Sequence, residues 1–129
     1  MIAFDSSVWI ELWRDPACLG QVRAAAREHG GDPDQVIVPA TAAYETQRWL
    51  IRNVDGEALI AALSATMDEH LHVGIDVELA RRAAVVSIAT GLAAADATIL
   101  AAARSRQATL LTFDADFAGI PDVIVLERS

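Results

Sequence analysis

Lysine is missing from this chain, and every one of its 10 basic residues is arginine. That removes the chemistries that need a lysine ammonium: the P-loop lysine, Schiff-base formation, and the lysine a receiver domain keeps beside its phosphorylated aspartate. Cysteine is nearly absent as well. The lone Cys18 cannot form an internal disulfide and offers no zinc-type cluster, which points to a reducing compartment and to a packing role for the thiol. No apolar run approaches the roughly 20 residues that span a bilayer, and no basic segment precedes an apolar one at the N-terminus. The expected location is therefore the cytoplasm, with no membrane partner.

What is present is apolar and acidic. Hydrophobic residues make up 53% of the 129 positions, enough for a continuous core in a single domain spanning residues 1–129, and the abundant alanine favours helices. The net charge of −8 works against simple duplex binding, which usually needs a basic face. Acidity suits a divalent cation better, although a merely solubilising surface gives the same excess.

Hydropathy patterning alternates strands with helices. An apolar run at the N-terminus ends in Asp5, and Ser6 or Ser7 is placed to cap a helix through Val8, Trp9, Leu12 and Trp13 to Arg14. A second helix is expected from Ala17 to His29, ended by Gly30-Gly31. Val36-Ile37-Val38 reads as a buried strand closed by Pro39, and Ala40 to Asn53 as the helix after it. Asp55 is placed to cap a helix running to about His70. Leu71-His72-Val73 is a weak strand. Asp76 opens a helix carrying Val77, Ala80, Ala84, Val85 and Ile88 on one face, and Ala95-Asp96-Ala97 opens another that runs to Arg106. Thr109 to Thr112 and Val123 to Leu126 complete the strands. This alternation predicts right-handed crossovers and a mainly parallel sheet covered on both faces.

In such a sheet, ligand sites form outside the carboxyl ends of the strands. Asp5 ends the first strand and Asp114 follows the fourth. Glu45 lies within the first two turns of the helix after the second strand, and Asp96 lies in the first turn of the helix leading to the fourth. Asp116 is a possible fifth member. Carboxylates this close repel and raise one another's pKa, unless a hard divalent cation such as Mg²⁺ or Mn²⁺ sits among them. The chemistry such a cluster serves is phosphodiester hydrolysis.

The run Asp5-Ser6-Ser7, the helix-borne Glu45, Ala95-Asp96-Ala97 with Ile99 and Ala102 behind it, and Leu111 to Phe117 together resemble the signature of the PIN domain. In size and spacing the chain is most similar to VapC-type toxins of type II toxin–antitoxin systems. The resemblance covers essentially the whole chain. It implies a PIN-like three-layer α/β domain, with helices on both faces of a mainly parallel sheet of four to five strands. It also implies a Mg²⁺-dependent endoribonuclease, with Mn²⁺ able to substitute, that is silenced by a cognate antitoxin and forms a homodimer. Carried over by position, Asp5 and Asp96 match the principal metal-binding acids and Glu45 the second acid of the quartet. Asp114 matches the fourth acid and a further metal ligand, and Asp116 the acid before the aromatic; which of these two dominates stays open, as does one metal or two. Ser7 and Thr112 match hydroxyl positions that hold the carboxylates or their water.

Each residue also has a plainer role. Asp5 serves as a helix N-cap, Asp96 as an acid favouring the helix dipole, Asp114 and Asp116 as turn formers, and Glu45 as a surface glutamate. Arg14, Arg48, Arg52, Arg104 and Arg106 are candidates for phosphate contact, set against solvated arginines on helix faces. Trp9 and Trp13 are either core residues or an apolar groove or dimer seam. His29, His70 and His72 share no metal-ligand spacing. Two other functions remain. One is an aspartate-nucleophile phosphatase built on Asp5, disfavoured by Ser7 and the missing lysine. The other is a non-catalytic PIN-like module that only binds RNA or a partner.

Overall fold

The computed structural model describes residues 1–128, in which five strands and six α-helices alternate. The strands are β1 (Ile2–Phe4), β2 (Ile37–Pro39), β3 (Leu71–Val73), β4 (Thr109–Thr112) and β5 (Val123–Val125). All pair in parallel, in the order β3-β2-β1-β4-β5, so β1 sits at the centre and the order reverses on either side of it. The helices are α1 (Ser6–Arg14), α2 (Leu19–Glu28), α3 (Ala40–Asn53), α4 (Glu57–Ala65), α5 (Val77–Thr90) and α6 (Ala94–Ser105).

Strand alternation splits the core in two. Ile2, Phe4, Val36, Val38 and Leu111 join Val8, Trp9, Val22 and Ala26 on the face covered by α1 and α2. Ala3, Ile37 and Leu110 face the other way, against Ile99, Leu100 and the alanines of α6. Ala97, Ala101, Ala102 and Ala103 are all buried; side chains this small let α6 lie close against the strands. Gly31 serves the same end on the other side, because a Cβ there would collide with the Ile2 side chain.

Several boundaries differ from those expected. Asp5 itself, rather than Ser6 or Ser7, caps α1, its carboxylate accepting from the Ser6 N–H. Pro16 opens a short 3-10 turn to Cys18, so α2 begins at Leu19. Gly56, at φ 100°, precedes α4 where Asp55 was expected to cap, and α4 ends at Ala65. There the backbone tightens to i−3 bonds, with the N–H groups of Thr66, Met67 and Asp68 donating to the carbonyls of Leu63, Ser64 and Ala65, and the α-helical ladder stops well short of His70. The largest departure is α5. It buries Leu79 and Ala83, while Val77, Val85 and Ile88 stay 66%, 69% and 88% exposed. α5 packs chiefly on α6, so the narrow seam of Leu79, Ala83 and half-buried Val86 suffices and the broader apolar stripe faces outward. No single helix among the described residues is long and apolar enough to cross a membrane.

Candidate metal centre

The carboxyl ends of β1 and β4 lie side by side, with Phe4 in register with Leu111. Each strand runs directly into an acidic segment, so adjacency in the sheet brings together residues more than a hundred positions apart. Asp5, only 3% exposed, is the joint between them. Its Oδ1 accepts from the Ser6 N–H at 2.8 Å, and its Oδ2 accepts from Thr112 Oγ1 at 2.7 Å and Ser7 Oγ at 3.0 Å. The two hydroxyls are themselves held: Ser7 Oγ accepts from the Phe113 N–H and Thr112 Oγ1 from the Asp114 N–H, each at 2.9 Å. A buried carboxylate is tolerable only when its lone pairs are satisfied, and these donors do so.

Asp114 sits just beyond β4, where its Oδ1 accepts from the Asp116 N–H at 2.9 Å. It thus forms the turn its residue type favours and caps the short 3-10 helix Ala115–Phe117. The turn delivers both acids to the N-terminus of α6, where Asp96 stands in the first turn. Carboxylate oxygens of Asp96, Asp114 and Asp116 all come within 4.8 Å of one another. Asp5 is outside this trio but close enough that its charge is felt at both Asp96 and Glu45.

Desolvation, and then repulsion from Asp5, Asp114, Glu45 and Asp116, pushes the Asp96 carboxyl up to about 6. Glu45 is raised too, chiefly by burial, with Ser6 opposing the shift: Ser6 Oγ donates to Glu45 Oε1 at 3.0 Å. Ser6 therefore ties the glutamate of α3 to the segment carrying Asp5. The Asp5-Ser6-Ser7 run hinted at it, but only the packing of α1 against α3 reveals the second partner. All of the acids expected at the site, with Ser7 and Thr112, gather at this one edge. The donor set is carboxylate and hydroxyl oxygen throughout, the chemistry hard divalent cations select, and mutual repulsion of the acids supplies the driving force for such an ion.

The other candidates separate. Arg14 pairs with Glu11 at 3.7 Å, and Arg104 pairs with Asp122 and donates to the Pro121 carbonyl. Arg106 lies in a different pocket with Asp76 and Glu78. Arg48 and Arg52 instead line a groove of about 690 Å³ that Ser6 and Glu45 also line. Trp9 is buried edge-on against Phe4, and Trp13 stacks on Trp49, so both tryptophans pack within the chain. His70 accepts from the Val36 N–H, His72 contacts the Met67 carbonyl and Cys18 is buried, all in structural roles.

A model of the PIN domain matches residues 2–123 of the chain. The chain belongs to the PIN domain family. No curated protein matches it by sequence. Among solved structures, this PIN domain superposes on a toxin–antitoxin complex from Klebsiella pneumoniae with a TM-score of 0.79 at 24% identity, over 99% of this chain and 100% of that one. VapC20 of Mycobacterium tuberculosis, a sarcin-ricin loop cleaving toxin, gives 0.72 at 20% identity over 99% and 100%. VapBC2 from Rickettsia felis, bound to a fragment of its promoter DNA, gives 0.71 at 14% identity over the whole of both chains. These likenesses show the PIN fold.

Proposed function

We infer that the chain is a Mg²⁺-dependent endoribonuclease, the toxin of a type II toxin–antitoxin pair, restrained by a cognate antitoxin. The observation that carries this reading is the convergence of Asp96, Asp114 and Asp116 within 4.8 Å, beside a hydrogen-bonded Asp5 and a Glu45 reached through Ser6. Asp96, Asp114 and Asp116 would hold the cation, with Asp5 completing the set from its buried position. Mn²⁺ has the same preference for oxygen donors and would substitute. A bound divalent cation supplies Lewis-acid stabilisation of the charge developing on the phosphodiester.

The chain's own residues do the rest. Thr112 and Ser7 hold the Asp5 carboxylate in a fixed orientation. Glu45, held at Oε1 by Ser6, keeps Oε2 available to take a proton from the attacking water, and its raised pKa makes it a stronger acceptor for that proton. Self-association is supported by the uncovered Val77, Val85 and Ile88 of α5 rather than by the tryptophans, which are occupied inside the chain.

The test is cleavage of a mixed pool of RNA with and without Mg²⁺, by the native chain and by Asp96→Asn. The expected result is cleavage that disappears on chelation and in the variant. Cleavage surviving both would overturn the reading. Tight Mn²⁺ binding without turnover of any RNA would point instead to a PIN-like module that only binds.

A further inference from the structure

A chain of net charge −8 repels RNA as a whole, so a strand reaching the acidic centre must enter where the field is locally reversed. The ion pairs narrow the choice. Of the 10 arginines, Arg14, Arg23, Arg82, Arg104 and Arg128 each have a carboxylate partner among the described residues. Of the remainder, Arg48 and Arg52 line one groove. Both stand on α3 one turn apart, both are exposed, and both line the groove that opens on Glu45 and Ser6. Tyr44, one turn before Arg48 and 66% exposed, stands beside Glu45 at the mouth of the same groove. Its wall is stiffened by Trp49, stacked on Trp13.

Residues 44, 48 and 52 follow the i, i+4, i+8 spacing of a single stripe, with about 6 Å of axial rise between successive members. That interval is close to the step between phosphates in an extended strand. Guanidinium forks free of carboxylates match phosphate oxygens, and an exposed phenol ring offers a face on which a base can stack. The combination suits a single strand with its bases splayed, not a stacked duplex. On this basis we propose that the outer stripe of α3 is the entry track for single-stranded RNA. Arg48 and Arg52 hold two consecutive phosphates, and Tyr44 stacks the base next to the scissile bond. The inference rests on the nuclease reading and names where its substrate lies.

The decisive measurement is binding of a short fluorescein-labelled single-stranded RNA to Asp96→Asn protein across a salt series, in that background and with Arg48→Gln/Arg52→Gln added. The arginine pair should weaken binding tenfold or more and reduce the slope of log affinity against log salt by roughly 1.4, since each phosphate contact on a single strand contributes about 0.7. Tyr44→Ala should weaken binding severalfold with the slope intact, and Arg27→Gln, on α2, should change neither. In the otherwise native chain, the arginine pair should raise KM with kcat within about twofold and Mn²⁺ affinity unchanged, as expected for uniform binding. Unchanged RNA affinity and slope in a chain that still cleaves RNA would overturn the track while leaving the nuclease standing. Failure of the native chain to cleave any RNA would remove the nuclease itself. Loss of binding to an acidic protein partner, with RNA binding intact, would overturn the track in favour of a protein-docking groove.

Discussion

Asp5 and Asp96 are both carboxylates at the same edge of the sheet, yet their surroundings are opposites. Asp5 is buried and accepts from Ser6, Ser7 and Thr112. Asp96 is half-buried, and no hydrogen-bond donor to its carboxylate is found among the described residues. Its neighbours are other acids, and its pKa rises to about 6. The protein thus satisfies one acid completely and leaves another strained. On the nuclease reading, the satisfied one anchors the site to the folded framework, and the strained one would draw in an external cation. A site built only of the first kind would have no affinity for a metal, and one built only of the second would not hold its shape.

The comparison breaks most visibly in activity. Asp96→Asn is expected to lower Mg²⁺-dependent RNA cleavage on the order of a hundredfold or more, because the cation loses a charged ligand. Stability should then separate the two acids by sign. Asp5→Ala removes a helix cap and the shared acceptor of the Ser7 and Thr112 hydroxyls, so urea denaturation should show a loss of about 2–3 kcal/mol. Asp96→Asn should instead stabilise the metal-free protein by about 1 kcal/mol, since solvent already screens part of the repulsion it relieves.

Thr112→Val tests the link between the two regions. It preserves shape but removes the donor to Asp5 and the acceptor for the Asp114 N–H, and should cost roughly ten- to a hundredfold in Mn²⁺ affinity measured by calorimetry. Thr112→Ser should recover most of it.

The smallest effect is the pH dependence. The folded state holds a proton on Asp96 more tightly than the unfolded chain, so between 3.8 and about 6 it binds more protons. Stability of the metal-free protein from this group therefore falls as pH rises through that window, by about 1 kcal/mol. Thermal melts should show the slope reduced in Asp96→Asn and abolished by saturating Mn²⁺. An unchanged slope in the variant would mean that Asp96 is not the strained acid.

Sequence patterning placed the elements well where local signals were strong. The strand expected at Val36 to Val38 is the buried β2, shifted by one residue to Ile37–Pro39 so that Pro39 lies inside it, and Gly91 ends α5 in the left-handed conformation expected of a helix stop. It misplaced elements whose limits depend on packing. The end of α4 lies where its backbone bonds tighten to i−3 at Thr66, Met67 and Asp68. The buried face of α5 is set by the small residues of α6, and nothing within α5 announces that Val77, Val85 and Ile88 will stay uncovered while Val86 packs inward. The acids were visible as a series in the right order. Their pairings were not, because hydrogen bonds spanning 107 positions, such as Thr112 to Asp5, leave no local trace.

The amino-acid order alone determined the strand–helix alternation, and with it the parallel sheet and the edge at which acids from separate segments emerge, because periodicity and strand polarity are properties of neighbouring residues. Only the tertiary structure decided which oxygens meet. The order β3-β2-β1-β4-β5 puts the ends of β1 and β4 side by side, making Asp5 a tethered joint and drawing Asp116 in beside Asp96 and Asp114. It also decided which arginines remain free of carboxylates. A side chain's charge is written in the sequence, but the partner that neutralises it is a matter of distance in the folded chain.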